Sequence, residues 1–185
     1  MATYTQNTDL NTTWNITTSN DEWILTKTAT ITTDGSYGVF VDEDYSLDTI
    51  RLFGDVSTSN ETAVRIDGDD IDLIIGKNAI IEATTSNTGI AAFGDDADII
   101  NHGLVKSGSM GVVAGQGATV NNYGKVIAGY NGLVATNQDV AVNNSGLIAG
   151  DTNAMSISNT GFVLVNLEGG VIRGGFRAKP GGWYR

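Results

Sequence analysis

Short apolar runs with a period of two recur along this chain, and each is bounded by Gly, Asn, Asp, Ser or Thr. The clearest set is Gly38-Val39-Phe40-Val41, Ala63-Val64-Arg65-Ile66, Gly89-Ile90-Ala91-Ala92, Gly111-Val112-Val113-Ala114, Gly132-Leu133-Val134-Ala135 and Ala154-Met155-Ser156-Ile157. Each copy opens on a small residue and then alternates large apolar, variable, apolar. The second positions fall at 39, 64, 90, 112, 133 and 155, so the copies are 25, 26, 22, 21 and 22 residues apart. Alternation of this kind predicts half-buried β-strands. Repetition at a fixed period predicts that each strand stacks on its equivalent in the next repeat.

A second motif lies between the copies of the first: Asn101-His102-Gly103-Leu104-Val105, Asn122-Tyr123-Gly124-Lys125-Val126 and Asn144-Ser145-Gly146-Leu147-Ile148, with looser copies at Gly76–Ile81 and Asn166–Ile172. A third apolar arm precedes each Asn, at Ile50 with Leu52, Ile74, Ile100, Val120, Val142 and Val165. Three strands per period predict an all-β chain folded as a right-handed parallel β-helix, a three-sided β-solenoid of about six coils of 21–26 residues. Val39, Val64, Ile90, Val112, Leu133 and Met155 are expected to point inward. Phe40, Arg65, Ala91, Val113, Val134 and Ser156 are expected to point outward. A helical solenoid is excluded by the period of two and by the glycine and β-branched content of the repeats. A β-sandwich would not require in-register repetition.

Residues 1–30 follow the period less well and read as an N-terminal cap with the first strands, in which Trp14, Trp23, Ile24 and Leu25 cover the open end. Residues 31–174 form the repeats. Residues 175–185 break the pattern and read as a cap or linker.

Composition agrees with many short strands and tight turns: 41% hydrophobic residues, 24 glycines and 1 proline. There is no cysteine, so a disulfide framework or thiolate metal site is excluded. The N-terminal residues carry no signal-peptide pattern, and no apolar run approaches a membrane helix in length.

The Asn-x-Gly-x-Val/Ile and Gly-Val/Ile-x-Ala motifs, over roughly residues 36–174, resemble the β-helix stretches of bacterial autotransporter passenger domains and of large secreted adhesin or haemolysin-like proteins. The resemblance implies an extracellular or bacterial cell-surface location and a role in adhesion or scaffolding, with a glycan or cell-surface partner.

The net charge is −11 and is unevenly placed: residues 1–98 hold 18 acids and 4 bases, residues 99–185 hold 3 acids and 6 bases. Nucleic acid is a poor partner for such a chain. The acids concentrate after the second arm of three successive coils, giving Asp42 and Asp44, then Asp67, Asp69 and Asp70, then Asp95, Asp96 and Asp98. In register these carboxylates form an oxygen-rich corner suited to a hard ion such as Ca2+. The alternative is a solvated turn built from ordinary turn formers. No cofactor is required.

Asn101, Asn122, Asn144 and Asn166 are expected to form a ladder of side-chain amides. His102, the one histidine, reads as an exposed turn residue, and no local motif supports a triad around it. Glu82 and Lys106 are expected to pair across adjacent coils. These features point to a non-enzymatic adhesin segment or structural spacer. Head-to-tail stacking into a filament is a second reading, from the charge split and the open solenoid ends. A polysaccharide lyase or hydrolase is a third; it would use Arg51, Arg65 or Lys77 beside the acidic corner.

Overall fold

The computed structural model describes residues 1–158, 160–178 and 183–184. The described residues form strands and turns, and every strand pairing is parallel. The first coil holds β1 (Thr3–Gln6) and β2 (Trp14–Ile16). The second holds β3 (Glu22–Leu25), β4 (Thr30–Thr33) and β5 (Val39–Val41), and the third β6 (Thr49–Leu52), β7 (Asp55–Thr58) and β8 (Val64–Ile66). Next come β9 (Asp72–Ile75), β10 (Ile80–Ala83) and β11 (Ile90–Ala92), then β12 (Asp98–Asn101), β13 (Leu104–Ser107) and β14 (Met110–Ala114). The sixth coil is β15 (Thr119–Asn122), β16 (Lys125–Ala128) and β17 (Asn131–Ala135). It is followed by β18 (Ala141–Asn144) and the long β19 (Leu147–Ile157), then by β20 (Val163–Asn166) and β21 (Val171–Ala178), and last by β22 (Trp183–Tyr184).

The first strands of successive coils stack into a nine-stranded sheet, β1-β3-β6-β9-β12-β15-β18-β20-β22. The second and third strands build a 13-stranded sheet that wraps two sides of the solenoid, because β19 runs round the bend between them. The stack amounts to about eight turns, more than the six expected. The extra turns lie at the ends. β1 pairs with β3, and Leu10 bridges to Ile31, so the stack begins at Thr3. At the other end β21 extends from Val171 to Ala178 and pairs with β19, carrying the repeat past residue 174. Residues 179–182 and 185 lie outside the described residues.

The third face has the register read from the sequence. Val39, Val64, Ile90, Val112, Leu133 and Met155 are successive Cα partners, and all six are fully buried. On the outward column Phe40, Arg65, Val134 and Ser156 are half-buried, but Ala91 and Val113 are buried. Both are short side chains, and Ala91 lies directly beside the long Arg65 in the column.

On the first face the apolar arm residues show a one-residue slip in parity between coils. Its inward column is Ile50, Leu73, Ile99, Val120, Val142 and Leu164, whereas Ile74, Ile100 and Val165 stand in the outward column behind Arg51. Runs such as Leu73-Ile74-Ile75 are apolar at every position, so hydrophobicity alone does not reveal their parity. The slip moves a side chain to the opposite face.

The core is therefore a bundle of stacked aliphatic columns, each fully buried Val, Leu or Ile stabilising the fold by roughly 1.5–3 kcal/mol. At the N-terminal end Trp14 and Trp23 close these columns edge to face, with centroids 5.8 Å apart, and Tyr4 stacks on Trp23 at 4.3 Å. Leu25 is buried beside them, while Ile24 faces outward.

Candidate functional site

The two well-defined corners of the solenoid do different things. The corner between the third face and the first carries the acidic residues. Asp70 and Asp96 adopt left-handed backbone at φ 54 and 57, as do Asn20, Leu47 and Asp139 at equivalent places in other coils. The amide of each such residue donates to the carbonyl of the residue before its counterpart in the next coil: Leu47 to Asp69, Asp70 to Asp95 and Asp96 to Gln116, at 3.1, 2.9 and 2.9 Å. Asp and Asn tolerate this conformation better than most residues, which accounts for the composition of the corner.

The carboxylates largely serve the turns. Asp69 Oδ1 accepts from the Asp95 amide at 2.7 Å, Asp42 Oδ1 from the Asp44 amide at 3.3 Å, and Asp67 Oδ1 pairs with Arg65 Nε at 2.6 Å. Asp98 opens β12 opposite Asp72 of β9. Asp44, Asp70, Asp95 and Asp96 are exposed. Among the described residues no three His, Asp or Glu side chains converge in a metal-binding group. The bases named for an enzymatic reading are also dispersed. Arg51 Nε holds Glu22 at 2.7 Å, Arg65 lies over the Phe93 ring at 4.3 Å, and Lys77 sits at the other corner.

One step into the core from this corner, sequence reasoning missed a pair of acids. Asp21 and Asp48 occupy the inward position filled in later coils by Ile71, Ala97, Ala118, Val140 and Phe162. Asp48 is 1% exposed. Its Oδ1 accepts from the Asp21 amide at 2.8 Å, and its buried Oδ2 has no hydrogen-bond partner among the described residues. Burial holds the Asp48 carboxyl above the usual aspartate range, and the neighbouring Asp21 carboxylate adds to the effect. Aligning the columns from the later coils backwards would have exposed both residues.

The corner between the first face and the second is built from the Asn-x-Gly motif. Asn101 Nδ2 donates to Asn122 Oδ1 at 2.8 Å, Asn122 to Asn144 at 2.7 Å and Asn144 to Asn166 at 2.8 Å. The first three are buried, and the expected ladder is present. The same amides also reach the carbonyls of Lys125 and Leu147, at 3.3 and 3.2 Å, and so fix where the next strands start. The glycines of the motif lie backbone on backbone: a Cβ on Gly124 would be 2.2 Å from the Gly103 carbonyl oxygen.

A groove runs along this corner. Its larger part, about 690 Å³, runs from Lys77 to Val171 over Gly103, Gly124 and Gly146. A second part, about 300 Å³, continues towards Ile24 and Lys27 and shares Lys77 and Asn78 with the first. The variable residue of the motif forms the lip. His102 is exposed, as expected, but its ring stacks on Tyr123 at a centroid distance of 4.9 Å and 12° between planes. Phe53 and Tyr123 are 41% and 50% exposed. The groove itself was not read from the sequence. Its signal was present in the step of one period from His102 to Tyr123. Outside the groove, Lys106 Nζ and Glu82 Oε1 form the expected inter-coil pair at 2.6 Å.

Comparison of the chain with family models, with curated proteins and with solved structures finds no match.

Proposed function

We propose that this chain is a non-catalytic β-solenoid binding module, working outside the cell or on its surface, that holds an extended ligand along the Asn-x-Gly corner. The supporting observation is the groove from Lys77 to Val171 and the one adjoining it from Ile24 to Asn78, with exposed rings at the lip and a floor fixed by the buried asparagine ladder. Rigid strands displaying side chains at a regular interval favour recognition of a repeating polymer over a compact small molecule. Aromatic faces beside a trough suit the apolar faces of sugar rings.

The test is binding of the purified chain to a panel of immobilised cell-surface polysaccharides, beside a His102→Ala/Tyr123→Ala variant of unchanged melting temperature. Binding by the parent chain that is lost in the variant supports the reading. No binding, or binding that the variant retains in full, removes the groove from the function and leaves the structural spacer.

Head-to-tail association is a second reading. It is supported by the position of β1 at the end of the nine-stranded sheet, and by the acidic first half set against Arg173 and Arg177 in the last described coil. Particles in electron microscopy that lengthen at low salt would support it; monomers at low and high salt alike would end it.

A further inference from the structure

We infer that the groove ligand is a linear acidic polysaccharide in which a carboxylate-bearing sugar alternates with a neutral one; this deepens the binding-module reading and rests on it. The first observation is charge segregation. The chain carries 21 acidic residues, yet the lining of the groove contains Lys27, Lys77 and Lys125 and no carboxylate. Among the described residues none of these three lysines makes an ion pair, whereas Lys106 close by is paired. Their charge is available to a ligand.

The second observation is spacing. Lys27 and Lys77 occupy the same turn two coils apart, closed in each case by an amide-to-carbonyl bond, Ala29 to Thr26 at 3.1 Å and Ala79 to Gly76 at 3.0 Å. Lys125 follows two coils further on, across the groove at the start of β16. Coils are about 4.8 Å apart, so a cation recurs roughly every 10 Å over a run of about 20 Å. This interval is comparable to one disaccharide of an extended β-linked chain. The intervening coils present rings: Phe53 between Lys27 and Lys77, then His102 between Lys77 and Lys125, its ring stacked on Tyr123 of the coil that carries Lys125. Phe53 lies across Gly76, where a Cβ would be 2.7 Å from its Cδ1. Cation and ring thus alternate coil by coil from Lys27 to His102, and the next coil carries both Tyr123 and Lys125, a pattern that matches carboxylate and sugar face along such a polymer.

The third observation concerns the backbone. The lip amides are spent between coils: Phe53 donates to Leu25, His102 to Ile75 and Tyr123 to Asn101, at 2.9, 3.0 and 2.8 Å. A peptide ligand would find no free ladder to extend. Recognition falls to side chains, and a nucleic acid would meet three cations on a chain of net charge −11.

Titration calorimetry with the full chain tests the inference. One probe is an oligosaccharide of alternating glucuronate and N-acetylglucosamine, long enough to span about 20 Å. The others are the same oligosaccharide with its carboxyls reduced to alcohols, and poly-glutamate. The acidic oligosaccharide is expected to bind, and to bind about tenfold more weakly to Lys77→Gln/Lys125→Gln, after carboxyl reduction, and at raised salt. Lys106→Gln, outside the groove, is expected to leave binding unchanged. Equal binding of the acidic and reduced oligosaccharides, with loss in Tyr123→Ala, would overturn the acidic class and keep the groove. Equal binding of poly-glutamate would overturn sugar recognition. Binding of neither oligosaccharide would overturn this ligand class, and the panel described above would then decide the groove itself.

Discussion

Asn122 donates to Asn144 across one coil step at 2.7 Å, with both side chains fully buried. Asn122 also accepts from Asn101 and reaches the Leu147 carbonyl. Replacing it with alanine strands a donor on one side and an acceptor on the other in the core. Asn122→Ala is therefore expected to cost roughly 3 kcal/mol in denaturant unfolding. The outward Asn121, half-buried with one ladder bond from Asn143 at 2.9 Å, supplies the control. Asn121→Ala is expected to cost under about 1 kcal/mol. Equal costs would show that the buried ladder is dispensable.

Two glycines separate steric from conformational requirements. At Gly124 a Cβ would meet the Gly103 carbonyl oxygen at 2.2 Å and the His102 carbonyl carbon at 2.7 Å, both backbone atoms of the coil below. Gly35 has φ +73 but nothing within 4 Å of the added atom. Gly35→Ala is expected to cost about 1 kcal/mol, from its backbone alone. Gly124→Ala must push two coils apart and is expected to cost about 3 kcal/mol. Parallel thermal melts of the two variants decide it; a cheaper Gly124→Ala would contradict the packing of the groove floor.

The sequence exposed the stacked columns wherever one apolar residue alternates with a polar or small one, as at Val39, Val64 and Ile90. It left the facing open where apolar residues run consecutively, as at Leu73-Ile74-Ile75, because parity is then undetermined. The N-terminal turns were hard to see because Thr3–Gln6 is almost wholly exposed and Leu10 alone stands for the second face. Columns were legible and the space between them was not. The groove depends on which side chains neighbouring coils bring to the same edge. Asp48 was hidden for a related reason, since its burial follows from alignment with Ile71 and not from its own neighbours in the chain.

Leu47 is the odd member of the left-handed column, at φ 61 with 58% of its surface exposed. Its amide bond to Asp69 is kept whatever the side chain. A branched aliphatic residue gains nothing from this position and carries the left-handed penalty of roughly 1 kcal/mol. Leu47→Asn and Leu47→Gly are each expected to raise stability by up to about 1 kcal/mol. The reverse change at an equivalent site, Asp70→Leu, is expected to lower it by a similar amount. A Leu47→Asn variant that melts below the parent would mean the leucine contributes packing that its exposure does not suggest.

The buried Asp48 gives the fold a pH signature. Its folded-state carboxyl is held above the ordinary aspartate value of 3.8 by burial, so at neutral pH the folded chain bears an ionised group it would hold more easily as the acid. Stability should therefore rise as pH falls from neutral through the raised value towards 3.8. Asp21 and Asp34 act in the opposite sense. The Ala2 amide lowers the first, and the Ser59 and Asn60 side chains lower the second. The stability they contribute is present above the unfolded value and is lost as pH falls through their folded values, so further acidification reverses the gain. Asp48→Asn keeps the acceptor for the Asp21 amide and removes the buried charge. It is expected to stabilise the chain at neutral pH by roughly 1 kcal/mol and to flatten the rise towards mildly acidic pH. General relief of the acidic surface would persist in this variant, so the difference between the two unfolding profiles isolates Asp48. Parallel profiles from pH 7 to pH 4, offset by nothing, would show that this carboxylate is solvated in the folded chain.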